Sequence, residues 1–215
     1  MFPPLLLKNG GIEKNMCSLN SNIQLLRHIP EFCSDLPNWT AASPLLKSLE
    51  KILSKCGTSE LVSALPLRRL LAEVTGKPLN TGAQNDTIEL LGYLLDHCPS
   101  QLFQFKTKQE HRFQINNSAS PCPTCKSNPP PVLGSDKILK VTMAKSTHPI
   151  SLSDMLKKCF SPLIQQDGRK CSFCLENKGD CPNLSYMEKL SLLEYPPYLV
   201  VQILRIGLCN LLVRN

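Results

Sequence analysis

The stretch "NMCSLNSNIQLL", residues 15–26, decides how the rest of this chain is interpreted. Apolar residues recur every three or four positions from Leu19 to Leu26 and predict a helix with one apolar face. Cys17 stands where polar residues give way to this pattern, so its thiol would lie at the helix N-terminus. The positive end of the helix dipole favours a thiolate there. Cys17 is therefore either an activated nucleophile or a small buried side chain at a helix start.

The composition indicates a folded protein that is not a nucleic-acid binder. The chain has 215 residues, 42% hydrophobic and 19% charged, which suits one large domain or two small ones. Its net charge of +7 comes from scattered Lys and Arg with only 6% aromatics, whereas nucleic-acid binders cluster basic residues on one face. No apolar run is long enough for a membrane span, and the N-terminus lacks the pattern of a signal peptide. The 11 cysteines are thus expected to be reduced, in a cytoplasmic or nuclear protein.

The two halves of the chain differ in pattern. The first half reads as helices, with Ser43 and Asp86 as N-caps and with residues 58–74 split into two short helices at Pro66. The second half reads mainly as strands, including residues 138–143 and 198–206. It also contains a short helix that starts with Ser151 and Asp154 as a capping pair. A mixed fold with helices first and sheets second is predicted.

Two C-x-x-C pairs give the strongest spacing signal in the second half. A tight turn between paired cysteines aims both sulfurs at one point, and two such turns supply four thiolates in a tetrahedron, which suits Zn²⁺. We predict a structural zinc site, although four thiols without a metal remain the alternative. Cys181 lies outside both pairs. We interpret it as a core or loop residue, and substitution for one of the zinc ligands is the other possibility. The predicted zinc ligands are Cys122, Cys125, Cys171 and Cys174.

Four segments, in order, resemble the boxes of the ubiquitin-specific proteases. "NMCSLNSNIQLL" is similar to the family's cysteine box, and "GAQNDTIELLGYLLD", residues 82–96, is similar to its second box with Asn85 in place of a Gln. The cysteine pairs resemble the zinc ribbon of the family's fingers. "LEYPPYLVVQILRI", residues 193–206, looks like its palm strand, which here ends Arg205-Ile206 rather than Arg-Phe.

The resemblance implies roles for particular residues. Cys17 would be the nucleophile that attacks the carbonyl at the ubiquitin C-terminus. Asn15 would have an oxyanion-stabilising or a structural role, and Gln84 and Asp86 would bind substrate. The implied partners are ubiquitin or ubiquitinated proteins, and neither nucleic acid nor a membrane.

The resemblance also implies a catalytic His in a Gly-His-Tyr element after the palm strand, and the sequence given ends before such an element. We interpret His28, His97, His111 and His148 as structural or exposed. The expected function is a deubiquitinating thiol protease that is weak or inactive as this chain. A catalytically dead ubiquitin-binding protein is the alternative, and a zinc-ribbon module for nucleic acid is a third reading that rests only on the charge.

The fold expected from the resemblance is α+β, with the papain-like architecture of a cysteine protease. Residues 1–98 would form a helical thumb that carries both boxes. Residues 99–190 would form zinc-ribbon fingers, and residues 191–215 the first strand of a truncated, incomplete β palm.

Overall fold

The computed structural model describes residues 4–10, 15–79, 85–115, 118–143, 149–177 and 181–205. The chain divides into two compact units, Met1–Leu102 and Phe103–Asn215. The three-part division expected from the sequence stays a prediction.

The first unit is built from helices around an apolar core. Its helices are α1 (Cys17–Leu26), α2 (Pro30–Trp39), α3 (Pro44–Leu53), α4 (Leu65–Thr75) and α5 (Thr87–Asp96). Two short strands, β1 (Leu6–Leu7) and β2 (Leu61–Val62), pair in parallel. Leu19, Ile23 and Leu26 of α1 are all buried, so the apolar face predicted from their spacing is confirmed. This face fixes α1 against the core, with its N-terminus at the surface.

Proline marks helix starts in this unit. Ser43 caps α3 by accepting a hydrogen bond from the Leu46 N–H at 3.3 Å, and Pro44 follows in the first turn. The prediction of two short helices broken at Pro66 is wrong, because Pro66 lies in the first turn of α4 and β2 precedes that helix. Proline is accommodated there because the first N–H groups of a helix have no partner within the helix.

The second unit consists of two sheets with short helices. Its strands are β3 (Phe105–Ile115), β4 (Ser118–Ser120), β5 (Val132–Asp136), β6 (Ile138–Met143), β7 (Leu163–Arg169), β8 (Leu184–Glu194) and β9 (Val200–Arg205). Its helices are α6 (Leu152–Phe160) and α7 (Ser172–Glu176). The larger sheet has the order β4-β3-β8-β7, with β5 also paired to β3, and β6 pairs in parallel with β9.

The register of the larger sheet places two loops at one end. Ser120 of β4 lies opposite Phe113 of β3, and Phe113 lies opposite Tyr186 of β8. Arg169, at the end of β7, pairs with Leu184 of β8, two residues from Tyr186. The chain segments that carry the two C-x-x-C pairs therefore leave the sheet at neighbouring positions.

Candidate functional site

Cys17 is an exposed thiol at the first residue of α1. It lies in an open groove of about 550 Å³ in the helical unit. The groove is lined by Leu7, Asn9, Cys17, Asn20, Ser21 and Gln24. A sulfur in this position is accessible to an extended peptide and lies at the positive end of the helix dipole. The buried-hydrophobe interpretation of Cys17 is therefore wrong.

Two polar residues of the cysteine motif hold the opposite wall of the groove. Asn20 donates from Nδ2 to the carbonyl of Lys8 at 2.9 Å, and Gln24 donates from Nε2 to the carbonyl of Leu5 at 2.9 Å. Both bonds tie the segment around β1 to the side of α1. The motif thus positions the wall of the groove as well as its thiol.

Asn15 shapes the backbone turn that leads into the thiol. Its φ of 56° is in the left-handed region, which Asn tolerates better than most residues. Its carbonyl accepts a hydrogen bond from Arg68 Nη1 at 3.2 Å. Both observations favour a structural role for this residue.

Arg68 of α4 is a buried cation beneath the same turn, and sequence reasoning missed it. Only 2% of the residue is exposed. Its Nε donates to the carbonyl of Leu79 at 2.9 Å, and its Nη1 lies 3.3 Å from Met16 Sδ. Burial lowers the pKa of Arg68, while a Cys17 thiolate would raise it, so the two groups attract. The signal in the sequence was a single Arg at an apolar position of an amphipathic helix.

Asn9 is a groove residue that the sequence did not reveal. Its Oδ1 accepts a hydrogen bond from the Met16 N–H at 3.1 Å, directly before Cys17. That contact uses the oxygen of the carboxamide and leaves its Nδ2 group as a donor in the groove wall.

The N-terminus of α5 is joined to α1. Ser18 Oγ donates to the carbonyl of Asn85 at 2.7 Å, and Asn22 Nδ2 donates to the carbonyl of Thr87 at 2.7 Å. Asp86 is exposed and caps α5, because its Oδ1 accepts from the Ile88 N–H at 2.8 Å. Gln84 lies outside the described residues. The second box is thereby held against the helix that carries Cys17.

Among the described residues that line the Cys17 groove, none is a histidine. His28 is exposed and contacts the carbonyl of Gln24 at 2.6 Å, and His97 caps the C-terminus of α5. His111 lies 3.1 Å from Glu188 in the sheet unit. His148 lies outside the described residues.

The two cysteine pairs meet, as their spacing predicts. The Sγ atoms of Cys122, Cys125, Cys171 and Cys174 all lie within 4.8 Å of one another. The Cys122–Cys174 and Cys125–Cys171 Sγ distances are both 3.7 Å. The edge of a tetrahedron with 2.3 Å zinc–sulfur bonds is about 3.8 Å, so the arrangement fits a metal such as zinc.

The electrostatics of this cluster also suit a divalent cation. Burial opposes charge at Cys122, yet the backbone N–H groups of Cys125 and Thr124 lower its pKa to about 6. Burial raises the pKa of Cys174, as do hydrogen bonds with the neighbouring thiols. Buried thiolates need a positive charge nearby, and a bound cation supplies it.

Cys181 belongs to the same buried cluster and adds a fifth thiol. It is 1% exposed, and its Sγ lies 3.7 Å from that of Cys122. Phe113 packs against these cysteines in one buried cluster. From the sequence, Cys181 was either a core or loop residue or a substitute ligand; its burial confirms the core position, and its contact with Cys122 depends on the tertiary structure.

Comparisons with known proteins give a family match and a structural match. The family model described as ubiquitin carboxyl-terminal hydrolase matches residues 7–211. A solved structure, the SAGA Ubp8/Sgf11/Sus1/Sgf73 DUB module bound to ubiquitin aldehyde, matches with a TM-score of 0.65 at 15% identity. The match covers 94% of this chain but 47% of that one, so the chain spans about half the length of this neighbour. No curated protein matches significantly. The structural likeness confirms the predicted mixed α/β fold.

No helix in the described ranges is long and apolar enough to cross a membrane.

Proposed function

The chain belongs to the ubiquitin carboxyl-terminal hydrolase family, and from this premise we propose that Cys17 is the nucleophile of a deubiquitinating thiol protease. The observation that carries the proposal is the exposed thiol at the start of α1, in an open groove. Its partner would be ubiquitin attached to another protein. The structural neighbour bound to ubiquitin aldehyde supports this choice of partner.

The proposed chemistry is acyl transfer. The Cys17 sulfur attacks the carbonyl carbon at the ubiquitin C-terminus and forms a thioester. The carbon–nitrogen bond to the substrate breaks, and the departing amine takes a proton from solvent water. Water then hydrolyses the thioester and releases ubiquitin. The Cys17 sulfur lies at the positive end of the α1 dipole, and the buried Arg68 cation would attract negative charge on it.

The proposed activity of this chain alone is weak. A positioned acid–base group contributes about 10²–10⁴-fold to such reactions. The described residues of the groove include no imidazole to supply it. This observation also favours the second candidate, a ubiquitin-binding protein without hydrolase activity.

A ubiquitin probe with a C-terminal electrophile tests the nucleophile. The wild-type chain is expected to form one covalent adduct, which Cys17→Ser abolishes, because the groove brings the ubiquitin tail to this thiol. Cys56→Ser, a change at a half-buried thiol in the same unit, is the matched control and should keep the adduct. Intact mass measures the result.

The other outcomes of this experiment separate the two candidates. Ubiquitin that binds the wild-type chain without any adduct would favour the non-hydrolysing binder. A chain that neither binds nor reacts with ubiquitin would contradict both.

Asn9 fits the role of oxyanion donor better than Asn15 does. The tetrahedral intermediate places negative charge on the former carbonyl oxygen, and N–H donors aimed at that oxygen stabilise it. Asn9 lines the groove with a carboxamide, whereas Asn15 is not among the described residues that line it. Asn15 then serves the turn, and Gln84 and Asp86 are proposed to contact the ubiquitin tail.

Two substitutions at Asn9 distinguish donation from support of the turn. Asn9→Asp keeps the oxygen that accepts from the Met16 N–H but removes the donor. Both Asn9→Asp and Asn9→Ala are expected to weaken the binding of ubiquitin aldehyde to Cys17 by about 10²-fold. If Asn9→Asp bound as tightly as wild type while Asn9→Ala did not, the residue would act only on the turn.

The proposed cofactor is one structural Zn²⁺, bound by Cys122, Cys125, Cys171 and Cys174. It supplies the positive charge that holds two distant loops together. No catalytic step is assigned to it.

A further inference from the structure

We propose that Cys181 is a reserve ligand of the metal centre and takes the place of Cys122 when that thiolate is lost. The inference deepens the proposed zinc site and rests on it. It assigns a metal-binding role to a thiol outside the two C-x-x-C pairs.

The distances carry the first step of this inference. The Sγ of Cys181 lies 3.7 Å from that of Cys122, the same distance that separates Cys122 from Cys174. That distance is about one edge of a tetrahedron of thiolates around zinc. The Cys181 sulfur is therefore adjacent to the Cys122 sulfur and close enough to enter the space that it occupies.

The backbone holds Cys181 in this place. Pro182 follows it and restricts Cys181 to an extended conformation. β8 begins at Leu184, which pairs with Arg169 at the end of β7. An added Cβ at Gly168 would lie 2.7 Å from Asn183 Cβ, so the segment before β8 is packed closely against β7. Cys181 is thus presented to the cluster by the sheet.

Burial makes the substitution favourable. Cys181 is 1% exposed and shares an apolar core with Phe113 and the paired cysteines. A zinc ion bound by three thiolates in such a place would have an open fourth position. The neighbouring Cys181 thiol would fill it, because water is a weaker ligand for zinc than a thiolate and the Cys122 position is buried.

The experiment measures zinc per chain and zinc affinity by competition with a chromophoric chelator. The variants are Cys122→Ala, Cys125→Ala, Cys181→Ala and the Cys122→Ala/Cys181→Ala double variant of the full chain. Co²⁺ substitution gives a second readout, since its visible bands report how many thiolates surround the metal. Cys159→Ala, a half-buried thiol of the same unit outside the cluster, is the control.

We expect Cys122→Ala to keep one zinc, bound on the order of 10–100-fold more weakly, with a four-thiolate Co²⁺ spectrum. Cys181→Ala should bind zinc as wild type does. Cys125→Ala and the double variant should both lose stoichiometric zinc.

The results that would contradict the reserve role differ from the result that would contradict the metal centre. If Cys122→Ala lost zinc as completely as Cys125→Ala, the reserve role alone would be overturned. The same conclusion would follow if the double variant bound zinc as tightly as Cys122→Ala. A wild-type chain without zinc would overturn the metal centre itself and the reserve role with it.

Discussion

Cys174→Ala is expected to remove the metal and unfold the cysteine-rich end of the larger sheet. The two C-x-x-C pairs are separated by residues 126–170, and they are brought together at an Sγ distance of 3.7 Å between Cys122 and Cys174. Structural zinc sites contribute on the order of 10 kcal/mol to the free energy of folding, because the metal binds only the folded arrangement. Loss of one of the four thiolate ligands forfeits most of that free energy.

The change is measured as zinc content and as the thermal unfolding temperature. Cys159→Ala is the control, since it removes a thiol of the same unit that is not part of the cluster and should leave zinc at one per chain. Treatment of the wild-type chain with a chelator should reproduce the effect of Cys174→Ala. A metal-free chain that unfolds at the same temperature as the zinc-loaded chain would show that the cysteines pack without need of a metal.

Arg68→Met is expected to destabilise the helical unit by about 3 kcal/mol. The substitution keeps a long apolar stem but removes the guanidinium that bonds the carbonyls of Leu79 and Asn15. A buried acceptor left without a donor costs about 1–3 kcal/mol, and the loss of a buried charged donor is at the upper end of that range. The turn before Cys17 should loosen as a result.

Arg69→Met is the matched control, because Arg69 is the exposed neighbour on the same helix. It should change the free energy of unfolding by less than about 0.5 kcal/mol. Urea unfolding measures both variants, and reactivity of Cys17 toward a small alkylating reagent reports on the turn. Equal stability of the two variants would mean that Arg68 does not support the turn before Cys17.

The local features of this protein were predictable because short-range physics sets them. The apolar spacing of α1, the cap at Ser43 and the pairing of Ser151 with Asp154 each depend on residues within one or two helical turns. Ser151 Oγ accepts from the Asp154 N–H at 3.1 Å, as the capping pair predicts. The misread segment before Pro66 had apolar residues that suit a strand and a helix equally, and its pairing with β1 was decided by a distant partner.

The reactive thiols of the candidate site could be predicted from the sequence, whereas the residues that support them could not. Cys17 and the paired cysteines belong to motifs whose spacing reports their chemistry. Arg68 supports a turn 53 residues earlier in the chain, and nothing near it in sequence indicates that partner. Asn9 and Cys181 belong to neither kind of motif, so no spacing indicates their contacts with Met16 and Cys122.

The sequence alone determined the family, the thiol at a helix start and a set of four cysteines able to bind zinc, because each follows from the order and spacing of nearby residues. Tertiary structure decided which groups surround them: the carboxamide of Asn9 in the groove, the Arg68 cation beneath the turn, and the Cys181 thiol one tetrahedral edge from Cys122. The contacts of Arg68 and Cys181 join residues that lie 52 and 59 positions apart in the chain. They form only when each unit folds, because the packing within the unit must offset the chain entropy that is lost on folding.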